Sequence, residues 1–191
     1  MNTRSRLYDP TPVNPLTDTP AVATVGRVVT YHLAQVNIGR TVEPLTSPKL
    51  AGFVEQLDEV NARADAAPGF VWRLKTEDNN ATAIRVFDDD GLIINMSVWE
   101  SVESLGDYVF RDAGHLAVLR QRRDWFTKAD TVTALWWVPA GHAPTVTEAE
   151  QRITHLREHG PTPYAFTFRA PFPAPGMDPT RAEDDWFCPI G

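Results

Sequence analysis

The segment FRDAGHLAVLRQRRDWF (110–126) holds the residues most able to do chemistry. At about 100° per residue, a helix places His115 and Arg122 in the middle of a stripe shared with Val118, Leu119, Trp125 and Phe126. Ala117, Arg120, Gln121 and Asp124 fall on the opposite side. A histidine inside an apolar stripe can bind a metal or carry a proton. An arginine there must meet a carboxylate, carbonyls or a ligand anion, because an unpaired buried charge costs several kcal/mol. A core histidine beside a structural ion pair accounts for the same spacing, so the pattern alone admits both readings.

Two strand-like runs add polar groups. In LIINMSVW (92–99) the period of two puts Asn95, Ser97 and Trp99 on one face. In YHLAQVNI (31–38) it separates Tyr31, Leu33, Gln35 and Asn37 from His32, Ala34, Val36 and Ile38. The second set is small and apolar, as suits a face under helices, which leaves Gln35 and Asn37 toward a cavity. FVWRLKT (70–76) contributes Trp72 or Arg73, and periodicity does not choose between them. Of Trp136 and Trp137, one points in and one out. The expected catalytic set is His115, Asn95, Trp99 and Arg122. The expected substrate-binding set is Gln35, Asn37, Trp72, Ser97 and Trp137. Aromatic walls with a few polar groups suit a flat, polycyclic small molecule, although six tryptophans serve equally well as packing.

Other signals are weaker. HLREH (155–159) has a zinc-type spacing, but its helix ends at once in Gly160-Pro161, where histidines already suit the dipole. FDDDG (87–91) reads as a turn rather than a calcium loop. His142 lies in a loop and could serve at a cavity mouth. No phosphate-cradling glycine pattern appears, and no metal site is expected. Cys188 has no base near it in sequence.

The elements that must position these groups follow from pattern. Strands are expected at 31–38, 70–76, 82–87, 92–99, 131–138 and 164–169. Helices are expected at 47–65, with Ser47 as N-cap, at 101–126 and at 147–160. The order is β-α-β-β-β-α-β-α-β, an α+β fold with a ferredoxin-like split βαβ sheet and helices on one face. A proline-containing arm (1–30) and a proline-rich tail (171–191) flank the domain at 31–170. An uncovered sheet face that is half polar and half aromatic suggests a homodimer enclosing a cavity. The alternative is a monomer whose third helix (147–160) and proline-rich arms cover that face.

The chain has 191 residues, is 42% hydrophobic and can bury a real core. Its net charge of -7 argues against general nucleic-acid binding. One cysteine permits no internal disulfide, and no run resembles a signal peptide or membrane span. The expectation is a soluble cytoplasmic protein with no nucleic acid or membrane partner.

The ordered series LAQVNIGR, LAGFVEQLDEVNARAD, PGFVWRL, NMSVWES, LWWVPAGHAPT and HGPTPYAFTFR, together with the histidine-to-WF helix, resembles the bacterial DUF3291 family. That family belongs to the dimeric α/β-barrel superfamily of antibiotic-biosynthesis-type monooxygenases. The resemblance spans about 31–169 and implies a monooxygenase-like oxidoreductase. Relatives in the superfamily also include haem-degrading enzymes, cofactor-free isomerases and stress-response proteins, so a cyclase or isomerase and a non-catalytic ligand-binding dimer are implied alternatives. By resemblance to the haem-degrading members, Asn37 would give a distal hydrogen bond, Trp99 would ruffle a haem and His115 would be its axial ligand. By resemblance to the cofactor-free members, Asn95 and Trp99, four residues apart, would form the catalytic pair.

Overall fold

The computed structural model describes residues 29–127 and 132–177. The elements are β1 (Tyr31–Arg40), α1 (Ala51–Asp65), β2 (Phe70–Arg73), β3 (Leu92–Trp99), α2 (Val102–Arg111), α3 (Ala113–Trp125), β4 (Val132–Pro139) and α4 (Val146–His159). The four strands form one antiparallel sheet in the order β2-β3-β1-β4. The expected N-terminal arm up to residue 28, and the tail beyond 177 with Cys188, lie outside the described residues.

Register fixes which side chains share a face. Gln35 stands opposite Ser97 and Leu135, Asn37 opposite Asn95 and Thr133, and Leu33 opposite Trp99 and Trp137. These residues make the first face of the sheet. The second face carries Ala34, Val36, Ile38, Ile94, Met96, Val98, Ala134, Trp136 and Val138, all closed from solvent. Bulky and β-branched residues at alternate positions account for both the strands and their burial.

Helices cover both faces. On the first face, Leu105, Tyr108, Val102 and Val109 of α2 pack on Leu33, Trp99 and Leu135, joined by Ala64 at the end of α1. The end of α3 reaches the same face at Gly39, where a Cβ would come within 3.0 Å of the Phe126 ring. On the second face, Ala149, Ile153 and Leu156 of α4 pack on the sheet beside Ala81, Ile84, Val86 and Phe87. The face of Gln35 and Asn37, expected to lie open, is thus packed under α2 and the ends of α1 and α3, and the third helix expected from sequence covers the opposite face. The packing argument for a sheet-to-sheet homodimer loses its ground.

Three elements differ from expectation, each for a local reason. The segment 82–87 is not a strand. Val86 bridges only to Asp89, and Phe87 and Asp88 adopt positive φ of 54° and 52°. Its apolar residues lie on the second face, and Phe87 N donates to Glu150 of α4 at 2.6 Å. The run 164–169 pairs with the sheet only through Phe166, which exchanges two 2.9 Å backbone bonds with Leu135 at the β4 edge. The helix expected from Ser47 begins at Ala51 instead, and Ser47 Oγ is buried without a partner.

The long helix expected at 101–126 is two. Ser101 and Ser104 form a reciprocal capping box that starts α2, and Asp112 ends it. The Asp112 carboxylate accepts from His115 N at 2.7 Å and so caps α3. This break sets where His115 sits: in the first turn of a new helix, turned back toward α2. Among the described residues no helix is long and apolar enough to cross a membrane.

Candidate functional site

The first face brings several of the expected residues together. Trp99, 1% exposed, lies between the edge of Phe70 (5.4 Å, 84°) and the face of Tyr108 (5.2 Å, 25°). Its Nε1 donates to Ser97 Oγ at 2.9 Å, and Ser97 Oγ donates to Gln35 Oε1 at 2.9 Å. The other side of Tyr108 meets His115 at 4.8 Å. The array Gln35–Ser97–Trp99–Tyr108–His115 thus runs from the sheet into the helices. Trp137 stands at the same end of the face, its Nε1 donating to Phe172 O at 2.7 Å.

Tyr108 was not expected, yet it joins the two halves of the array. Its hydroxyl donates to Val60 O at 3.0 Å, and burial pushes its pKa well above the usual phenol value, so it stays neutral. A helix broken at Asp112 would have been the signal for it, because only that break folds His115 back on α2.

His115 Nδ1 lies 3.1 Å from Val109 O. A carbonyl only accepts, so Nδ1 carries the proton and Nε2 keeps its lone pair. Burial lowers the pKa of His115, against opposing effects from the Val109 carbonyl and Asp112. A histidine held neutral stabilises the fold above its unfolded pKa of 6.5 and loses that contribution as pH falls through the lowered folded value. Wild-type protein is therefore expected to lose stability relative to His115→Asn, which keeps a donor for Val109 O, on acidification below about pH 6.5. Urea midpoints of both proteins from pH 8 to pH 5 check this; parallel curves would place His115 outside the pH response.

Further along the face lies a second polar column. Asn37 Nδ2 donates to Thr133 Oγ1 at 3.1 Å, and Asn95 beside it is exposed, with no side-chain hydrogen bond among the described residues. Four residues of strand, about 13 Å, separate Asn95 from Trp99. The structure does not bring Asn95 to His115.

Two expected residues stand elsewhere. Trp72 pairs with Val98 and packs on the second face, so Arg73 is the β2 residue on the first face, opposite Ser97. Arg122 is exposed, and no partner holds its guanidinium among the described residues. The wheel puts it on the stripe of His115 and Trp125, but of the last turn only Trp125 is buried, and Arg122 lies in solvent with Arg123 and Asp124.

A haem does not fit this arrangement. Tyr108 fills the space between Trp99 and His115, touching both rings, and Trp99 is locked between two aromatic neighbours. No plane remains for a porphyrin between the ring meant to ruffle it and the ring meant to bind its iron. Among the described residues no group of three or more His, Cys, Asp or Glu side chains could hold a metal ion. Two clefts, of about 640 and 490 Å³, lie at the start of α2 and along α4, and none of the expected site residues lines either.

The remaining sequence signals are held by neighbours. His155 and His159 stack at 4.4 Å, with His155 Nε2 2.8 Å from Thr162 Oγ1. His142 pairs with Glu148 at 2.8 Å, whose other oxygen accepts from Trp136 Nε1 at 2.8 Å. Burial raises the Glu148 pKa, but the bonds from His142 and Trp136 outweigh it and leave the net value low.

A model for a domain of unknown function, DUF3291, matches residues 32–182, from the start of β1 past α4. The chain belongs to the DUF3291 family. No curated protein matches it in sequence. Among solved structures the DUF3291 chain is similar to SnoaB, a cofactor-independent oxygenase from Streptomyces nogalater, at 17% identity over 59% of this chain and 95% of that one, with a TM-score of 0.39. It is also similar to Rv0793 from Mycobacterium tuberculosis, at 13% identity over 59% and 99%, TM-score 0.41. A protein of unknown function from Nitrosomonas europaea gives 11% over 61% and 95%, TM-score 0.39. The likeness is one of fold alone.

Proposed function

We propose that this DUF3291 protein binds a planar, oxygen-bearing small molecule on the first face of its sheet. There it acts as a monooxygenase-like enzyme without a resident cofactor. The observation that carries the reading is Asn95: an exposed carboxamide with no internal partner, beside Asn37 and Thr133, on a face otherwise committed to packing. The reaction class rests on the resemblance of the sequence motifs, above all Asn95 and Trp99. In such a reaction an acidic CH₂ beside an aromatic system becomes C=O, with one oxygen atom of O₂ kept and the other released as water. The protein's part is to hold the substrate and stabilise the anion that meets oxygen.

Oxygen uptake with a panel of phenolic and anthrone-type compounds tests this. Asn95→Ala is expected to lower kcat/KM about 10²-fold, as loss of one anion-stabilising donor does, without changing the urea midpoint. Turnover unaffected by the substitution would move the site elsewhere. A Soret band on adding haemin, lost in His115→Ala, would restore the haem reading.

A second reading, ligand binding without turnover, is favoured by one observation. The indole N–H of Trp99, one of the pair that the resemblance implies, is consumed by Ser97. Under that reading, compounds shift the NMR resonances of Asn37 and Asn95 but draw no oxygen.

A further inference from the structure

The hydrogen bonds joining Trp99, Ser97 and Gln35 have a direction. An indole N–H only donates, so Ser97 Oγ is the acceptor of the bond from Trp99. Ser97 then has one proton to give, and Gln35 Oε1 at 2.9 Å is the acceptor it meets among the described residues. Reversing the Gln35 amide would leave Ser97 accepting twice with its own proton stranded in a buried site, a costly arrangement. The Gln35 NH₂ group therefore points away from Ser97.

Gln35 is only 8% exposed, yet its Nε2 donates to no described residue. Nor is it among the side-chain atoms that are both buried and unpartnered in the described residues, which are His32 Nδ1, Ser47 Oγ and Arg152 Nε. A nearly buried amide thus keeps an unpartnered nitrogen that is not fully closed off. Asn95 stands diagonally beside it on the same face, because Gln35 pairs with Ser97 and Asn95 is two residues before Ser97 on β3. Diagonal pairs of this kind lie about 7–8 Å apart, a span that one oxygen between two carboxamides can bridge.

We propose that Gln35 and Asn95 together donate to the anionic oxygen of a phenolate or enolate substrate, and that Trp99 and Ser97 are positioning residues that hold the Gln35 amide donor-outward. The proposal rests on the small-molecule reading above and adds the donor pair and the ionised state of the ligand. Amide donors favour the anion over the neutral phenol, because charge-assisted hydrogen bonds are about twice as strong as neutral ones. A carboxylate would call for an arginine fork, and the arginine on this face, Arg73, has its donors taken by Asp65 and Asn79.

The test uses full-length protein and two chromogenic probes, 4-nitrophenol and 4-nitro-1-naphthol, whose absorbance reports affinity and ionisation together. The bound probe is expected to have its pKa lowered by about one unit. Gln35→Leu should bring that pKa part of the way back to the free value, Asn95 still donating, and weaken phenolate binding about tenfold, as loss of one charge-assisted bond does. Ser97→Ala should give an intermediate loss that Ser97→Thr rescues, a pattern that mere packing would not produce. Without any ligand, the Gln35 NH₂ protons should exchange with water freely while the Trp99 indole proton is protected. Protected Gln35 protons, or a probe that binds equally to Gln35→Leu with the same pKa, would defeat the donor assignment and leave the small-molecule reading intact. If neither probe binds the wild-type protein, the phenolate site fails, while oxygen uptake with other compounds still decides the broader reading.

Discussion

Trp99→Ala is expected to cost about 3–5 kcal/mol, the usual range for removing a buried Trp or Phe side chain. For a domain whose whole stability is about 5–15 kcal/mol, that brings folding close to its limit. The size follows from what Trp99 touches. It is 1% exposed, its faces and edges meet Phe70 and Tyr108, and the same cluster holds Leu33, Leu105, Leu135 and Phe166. Removing the indole opens a cavity between β3 and α2 that these aromatic and branched neighbours cannot fill. Trp99→Phe keeps part of the stack and loses chiefly the donor to Ser97, so it is expected to cost about 1–2 kcal/mol. Urea denaturation of the three proteins measures both steps. A Trp99→Ala midpoint close to wild type would mean that the stack closes around the loss, and that Trp99 is held for ligand contact more than for the core.

Much of this arrangement was legible before any coordinates. Period-two alternation placed Asn95, Ser97 and Trp99 on one face of their strand and Gln35 and Asn37 on one face of theirs, and the register of β1 on β3 puts the two sets together. The same period could not choose between Trp72 and Arg73: a register shift between Phe70 and Trp72 settles that, and register depends on the partner strand. The wheel of 110–126 put His115 and Arg122 on one stripe, but a wheel assumes one unbroken helix packed along its whole length. Asp112 breaks it, and only the first part of α3 lies against α2. The run at 82–87, expected as a strand, has apolar spacing that suits one, yet its residues serve as a flap over the second face beside α4. Local pattern reports which side chains seek burial, and leaves open whether sheet or helix provides it.

Asp65→Ala is expected to destabilise the domain by about 3–5 kcal/mol, and more than Arg73→Met does. Arg73 is 7% exposed, and its guanidinium is bound by both Asp65 oxygens at 2.7 and 3.1 Å and by Asn79 O and Oδ1, each at 2.7 Å. The clasp ties the last residue of α1 to β2 and to the turn at Asn79, which has a positive φ of 59°. The order of the two losses follows from where the charges sit. Removing the acid strands a buried cation that cannot neutralise, the costly half of breaking a buried pair. Removing the cation frees a carboxylate that is 40% exposed and can recover water. Arg73→Lys should not rescue stability, since an ammonium cannot reach both partners with a planar fork. In the double variant Arg73→Met with Asp65→Ala, the loss should be smaller than the sum of the two single losses. Urea midpoints for the four proteins form a double-mutant cycle. Equal single losses that simply add would show two residues acting independently, with the Asn79 turn held by other contacts.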